Sequence, residues 1–242
     1  MTALQITATR GSGPPATAGR ERAFAVVWQH PTTRIFARVG RLVVRDGTYE
    51  FRYDDRGADV EGFEAFLAFP DLRRTYRSEE LFPFFRNRVL SARRPDYPVY
   101  LERLGLQASD PVEILARSGG GRATDTVHLA PEPVLTPDGF VELRFLASGV
   151  RHLDPDGTHL RAISEGDVLA VRDREDNEVN PLALVLDSAS GAPVGWVPDY
   201  LLDTVRGLRE SYRIEVVAEV VNPPDTPAHL RLLCQLRAYP RP

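Results

Sequence analysis

Trp196 stands between Gly195 and Val197-Pro198 in a chain whose 30 basic side chains are all arginine. An indole within reach of guanidinium groups can stack a nucleobase. The same residue can instead fill the core of a small β-barrel, which is the better reading of the local sequence alone. Gly119-Gly120-Gly121-Arg122 could cradle a phosphate on backbone amides. It follows a helix pattern rather than preceding one, so a helix end and loop is the better reading. His152 and His159 flank Asp154-Pro155-Asp156-Gly157, which reads as a hairpin turn. A metal site there would need further carboxylates, and turn formation explains Asp154 and Asp156 without one. Arg172 to Glu178 mixes both charge signs and reads as a solvated loop.

The absence of lysine excludes whole reaction classes. A Walker-type phosphate loop, a protein-kinase site and Schiff-base catalysis each need an amine. No Gly-x-Ser-x-Gly elbow occurs, and no Ser-His-Asp set has convincing spacing. Cys234 is the single cysteine, so it can form neither an internal disulfide nor a thiolate zinc cage. Within Leu232-Leu233-Cys234-Gln235-Leu236 it reads as a small core residue of a strand. No catalytic residue, metal or cofactor is assigned, and the expectation is a non-enzyme.

The elements that must position these residues fall into two groups. Ala23 to Trp28, Ile35 to Val44 and Thr48 to Tyr53 read as strands, with Asp46-Gly47 as a hairpin turn. Tyr49, Phe51 and Tyr53 share one strand face. Ser78, followed by Glu79-Glu80, predicts a helix with Leu81, Phe85 and Val89 on its apolar stripe. A second short helix is expected from Asp96 to Gly105. A third starts at Asp110-Pro111 and stops at Ser118-Gly119. After the prolines of 130–139, short apolar runs at 141–150, 167–172, 182–186 and 194–197 predict strands. A helix over 199–209 and two strands, 212–221 and 229–239, complete the pattern.

The fold class expected is α+β, mainly β: a small antiparallel sheet with short helices, then a small β-barrel with one helix. The division is a flexible tail over 1–21, an α+β domain over 22–130, a proline-rich linker over 131–140 and a barrel over 141–242. Residues 1–140 carry 19 arginines and 18 acids, net +1; residues 141–242 carry 11 and 16, net −5; together they give the chain's −4. Nucleic-acid contact would therefore be a local patch. No signal peptide or membrane-length apolar run is visible, and the chain reads as cytoplasmic with no membrane partner.

Gly166 to Arg172, Asn177-x-x-Asn180-x-x-Ala183 and Gly191 to Pro198 resemble the ordered motifs of the HIRAN domain, a small β-barrel module. Gly149-Val150-Arg151 resembles its first strand, and the resemblance covers about residues 143–238. It implies binding of single-stranded DNA with capture of a free 3′ end. The implied pocket residues here are Arg151, His152, Asn180 and Trp196, with Val179 where the family has an aromatic. Asn180 can hydrogen-bond a terminal hydroxyl but lacks a carboxylate's strength.

Gly47 to Tyr53, Leu81 to Arg88, Leu104-Gly105-Leu106 and Asp110 to Gly120 resemble the N-terminal subdomain of HipA-type kinases of toxin–antitoxin loci, over roughly 22–130. The kinase core is absent, so this likeness implies a protein contact. Together the two resemblances imply an adaptor. It would bind single-stranded or end-bearing DNA through one half and a protein (a HipA-type kinase, helicase or nuclease) through the other. The alternative is an antitoxin-like regulator of a separate HipA-type kinase, without DNA binding.

Overall fold

The computed structural model describes residues 21–55, 57–122 and 125–241. Residues 1–20 lie outside these, and with them nearly all of the expected tail. The fold is α+β and mainly strand, built on two antiparallel sheets with a few short helices.

The first sheet contains β1 (Arg22–Gln29), β2 (Phe36–Arg45), β3 (Thr48–Tyr53), β4 (Tyr76–Ser78) and β5 (Val127–Pro131), in the order β4-β3-β2-β1-β5. Asp46 and Gly47 both have positive φ, 49° and 76°, the geometry that lets a tight hairpin follow the strand twist between β2 and β3. Phe51 lies buried among aromatic rings, with Phe69 at 4.4 Å and Phe85 at 5.5 Å between centroids. Burying one such ring contributes about 1.5–3 kcal/mol.

The helix expected from Ser78 is shorter and starts later. Ser78 ends β4, paired to Tyr49 of β3, and its hydroxyl accepts Glu80 N at 3.1 Å. Pro83, with φ fixed and no N–H, begins a single turn, α1 (Pro83–Arg86). Leu81 and Phe85 are buried all the same. Helix α2 spans Tyr97–Arg103. Helix α3 (Pro111–Ser118) has the expected cap: the Asp110 carboxylate accepts Val112 N at 2.8 Å, and Gly119 takes φ 69° at the other end. The glycine run is thus a helix end.

The second sheet has seven strands: β6 (Val134–Leu135), β7 (Val141–Leu146), β8 (Val168–Asp173), β9 (Leu184–Asp187), β10 (Pro193–Trp196), β11 (Tyr212–Val221) and β12 (Leu232–Pro240). Their order is β10-β9-β8-β11-β12-β7-β6. Among the described residues no ladder closes it as a barrel. A single bridge, Ser148 to Trp196, brings the end of β7 against β10 and curls the sheet. Between these strands lie α4 (Val150–Leu153) and α5 (Leu202–Ser211). Cys234 is buried on β12, as its apolar neighbours predict, and burial pushes its thiol pKa up.

Both faces of β1 are covered. Phe24 and Val26 join the core around Phe51, while Ala25 and Val27 join the core of the second sheet, together with Ala130 of β5. Tyr97, Leu104 and Ile114 of the helical layer pack with Leu146, Leu230 and Leu233. Asn222 Nδ2 also donates to Arg103 O at 2.9 Å. The two sheets therefore meet along a broad seam.

Candidate nucleic-acid interface

Strand β10 ends at Trp196, opposite Val185 of β9. It lies close to the chain beyond β7 because Gly195 has no side chain; a Cβ there would stand 2.8 Å from the Ala147 methyl. Ser148 and Trp196 exchange two backbone hydrogen bonds of 2.9 Å. Gly149 then turns the chain with φ 64° and presents its bare Cα to the indole. A Cβ at that position would stand 2.5 Å from Trp196 Cδ1. The Trp196 residue is half-buried, and the Arg174 guanidinium lies over its ring, 5.9 Å from the centroid. Such a cation–π contact at an exposed site is worth about 0.5–1 kcal/mol.

Arg151 and His152 lie on α4 rather than on a strand. The left-handed Gly149 turns the chain directly after the Ser148 bridge and caps the one-turn helix, whose His152 N–H donates to Gly149 O at 2.9 Å. Val150 is buried and anchors the turn, while Arg151 and His152 are exposed. Among the described residues Arg151 has no ion pair. α4 packs against β10, which puts the backbone of both residues at the Trp196 end of the sheet.

Asn180 lies in the loop joining β8 to β9. Its Nδ2 donates to Asp199 Oδ1 at 3.1 Å, and its Oδ1 accepts Leu182 N at 3.0 Å. Both polar ends of the side chain thus bind the loop and the turn three residues beyond Trp196. Val179 beside it is almost fully exposed.

The charge run from Arg172 is only partly a solvated loop. Arg172 and Asp173 belong to β8. Asp173 receives Arg206 and Arg209 of α5, each at 2.9 Å, and the Arg209 bond leads in holding its carboxyl below the usual range. Arg174 binds Asp176 through two hydrogen bonds, 2.8 and 3.0 Å. Arg174 is the residue that sequence reading missed; its only signal was its place in this run. The turn at Asp154–Gly157 leads into a 3-10 turn, not a hairpin, because the buried Asp154 accepts Leu160 N at 2.8 Å. His152 and His159 are both exposed. Among the described residues no group of three or more potential metal ligands occurs, and no helix is long and apolar enough to cross a membrane.

No family model matches the chain, and no curated protein matches it. Among solved structures it is similar to the HIRAN domain of human HLTF, at 17% identity over 44% of this chain and 84% of that one, with a TM-score of 0.30. It is also similar to a protein from Lactobacillus plantarum, at 14% identity over 46% of this chain and 98% of that one, with a TM-score of 0.34. These likenesses are too low to bear on the site, which stands on its own geometry.

Proposed function

We propose that the Trp196 end of the second sheet binds single-stranded or end-bearing nucleic acid, without catalysis. The observation that carries this reading is the indole itself: half-exposed, backed by Gly149, overlain by Arg174, and at the end of the strand against which α4 packs, whose Arg151 has no ion pair among the described residues. A base stacking on this ring would displace the Arg174 guanidinium from its face, and the freed cation would meet the phosphate. His152, also exposed on α4, offers a second ring. The motif resemblance to HIRAN domains points the same way. In this reading the first half, with its fully exposed Leu67, contacts a protein, and the chain is an adaptor.

A second reading has its own observation. Residues 141–242 carry 11 arginines against 16 acids, a balance that repels a polyanion. Under it the chain restrains a separate HipA-type kinase and binds no DNA.

Fluorescence anisotropy with single-stranded oligonucleotides, bearing free or blocked 3′ ends at low salt, separates the two. Nucleic-acid binding predicts saturable association with the wild type. Trp196→Ala should then weaken it roughly 5- to 150-fold, the effect of about 1–3 kcal/mol for one base stack. Arg151→Ala should flatten the salt dependence by about 0.7 in slope. No association of the wild type with any oligonucleotide favours the kinase regulator.

A further inference from the structure

A second basic surface begins beside Trp196. Ser148, its backbone partner, lines a cavity of about 320 Å³ in the seam between the sheets, together with Pro198 and Tyr200. This cavity reaches His128 of β5. The same histidine lines a second, open cavity of about 460 Å³, whose wall carries Arg34 and Arg122. One imidazole therefore lines both cavities, with Ser148 of the Trp196 end on the wall of one and Arg34 and Arg122 of the first half on the wall of the other.

That imidazole is held on two sides. Tyr200 stacks on it, with centroids 5.1 Å apart and planes at 14°, and Phe36 meets it edge-on at 5.4 Å. Burial, and then the charge of Arg88, push its pKa down, so the ring is a neutral aromatic surface at pH 7. Arg34 and Arg122 are exposed, and neither has an ion pair among the described residues. The neighbouring Arg38 and Arg41, in contrast, are held by Asp54 and Glu132. The carboxylate on the open cavity's wall, Asp125, already has both oxygens bound by Arg88, at 3.0 and 2.8 Å. The charges of Arg34 and Arg122 are thus left for an outside anion.

Arg34 is also fixed in place. It is a non-glycine residue at φ 61°, in a turn where its N–H donates to His30 O and its carbonyl accepts Gln29 Nε2, both at 3.0 Å. Residues other than glycine rarely adopt that backbone, so the turn and not chain slack sets where the guanidinium starts.

We infer that a strand bound at Trp196 continues along this seam past Tyr200 and His128, and seats its phosphates on Arg34 and Arg122. The inference rests on the nucleic-acid reading of the Trp196 end and adds the first sheet to the binding surface. It predicts that affinity depends on strand length, because a short oligonucleotide fills the Trp196 end alone.

The test compares wild type with Arg34→Gln, Arg122→Gln and the double variant, all as full chains. The probes are oligothymidylates of about 4 and about 16 nucleotides, which span the site sizes of single small barrels. The expected result is tighter binding of the longer strand by wild type. Its slope of log affinity on log salt should fall by about 0.7 for each arginine removed, with the short strand unaffected. Unchanged binding of the longer strand by the double variant overturns the seam path while leaving the Trp196 reading intact. Equal weakening for both lengths also overturns it, since it would place these arginines at the Trp196 end. Failure of wild type to bind either strand removes the Trp196 reading, and the path with it.

Discussion

Gly149 and Trp196 are in direct contact: the bare Cα of the glycine occupies the space beside indole Cδ1, where a Cβ would stand 2.5 Å away. Two separate demands meet at this residue, a positive φ of 64° and clearance for the ring. Gly149→Ala should therefore destabilise the protein by at least about 1 kcal/mol, the cost of a left-handed non-glycine residue. It should also weaken oligonucleotide binding by displacing the indole. Urea unfolding and anisotropy on the same preparation check this, and unchanged binding would detach Gly149 from the site.

The Asp176 carboxylate competes for the guanidinium that covers Trp196, through hydrogen bonds of 2.8 and 3.0 Å to Arg174. Asp176→Asn should leave stability nearly unchanged, because the pair is exposed. It should tighten binding of single strands at low salt, since a negative charge leaves the site. Weaker binding would show that Asp176 positions Arg174 rather than competing with a phosphate.

Arg88 is buried, and its guanidinium serves Asp125 and the carbonyls of Gly120 and Val127, at 2.8–3.2 Å. Arg88→Met should cost about 1–3 kcal/mol, the penalty of leaving buried carbonyl acceptors without their donor, and it should loosen the His128 wall of the seam. Denaturant unfolding measures the loss; a change within about 0.5 kcal/mol, typical of ordinary surface positions, would contradict the network.

His128 and His229 line the same seam cavity, and burial lowers the pKa of each below the usual 6.5. The unfolded chain then binds protons that the folded chain refuses. Stability from these groups is fully present above pH 6.5 and is lost as pH falls through the lowered folded values. Urea midpoints should thus decline on acidification below about pH 6.5, before the carboxylates titrate. His128→Gln should decline less steeply than wild type. Equal slopes would mean that His128 is solvated in the folded protein.

Local rules made much of the fold legible. β3 follows its alternating Tyr49, Phe51 and Tyr53, and α3 follows from Asp110, Pro111 and Gly119. β1 was readable as a strand, but not as one buried on both faces, because covering Ala25 and Val27 needs the second sheet. Misreadings arose where one residue overrides a periodicity: Pro83 delays α1, and Gly149 turns the expected strand at Arg151 into α4. At the candidate site, Trp196 could be singled out from composition and its neighbours. Arg174 over its ring depends on how the β8–β9 loop folds, and the Tyr200–His128 stack joins segments far apart in sequence. No local pattern encodes either.

The most direct test of base stacking is the emission of Trp196 itself. The chain has two tryptophans, so Trp28→Phe leaves Trp196 as the sole indole and keeps an aromatic ring against Phe63 and His30. Titrating this variant with a single-stranded oligonucleotide should quench the emission saturably, at the dissociation constant that anisotropy gives for the same pair. An anisotropy rise with unchanged Trp196 emission would contradict stacking at this residue and move the binding surface elsewhere.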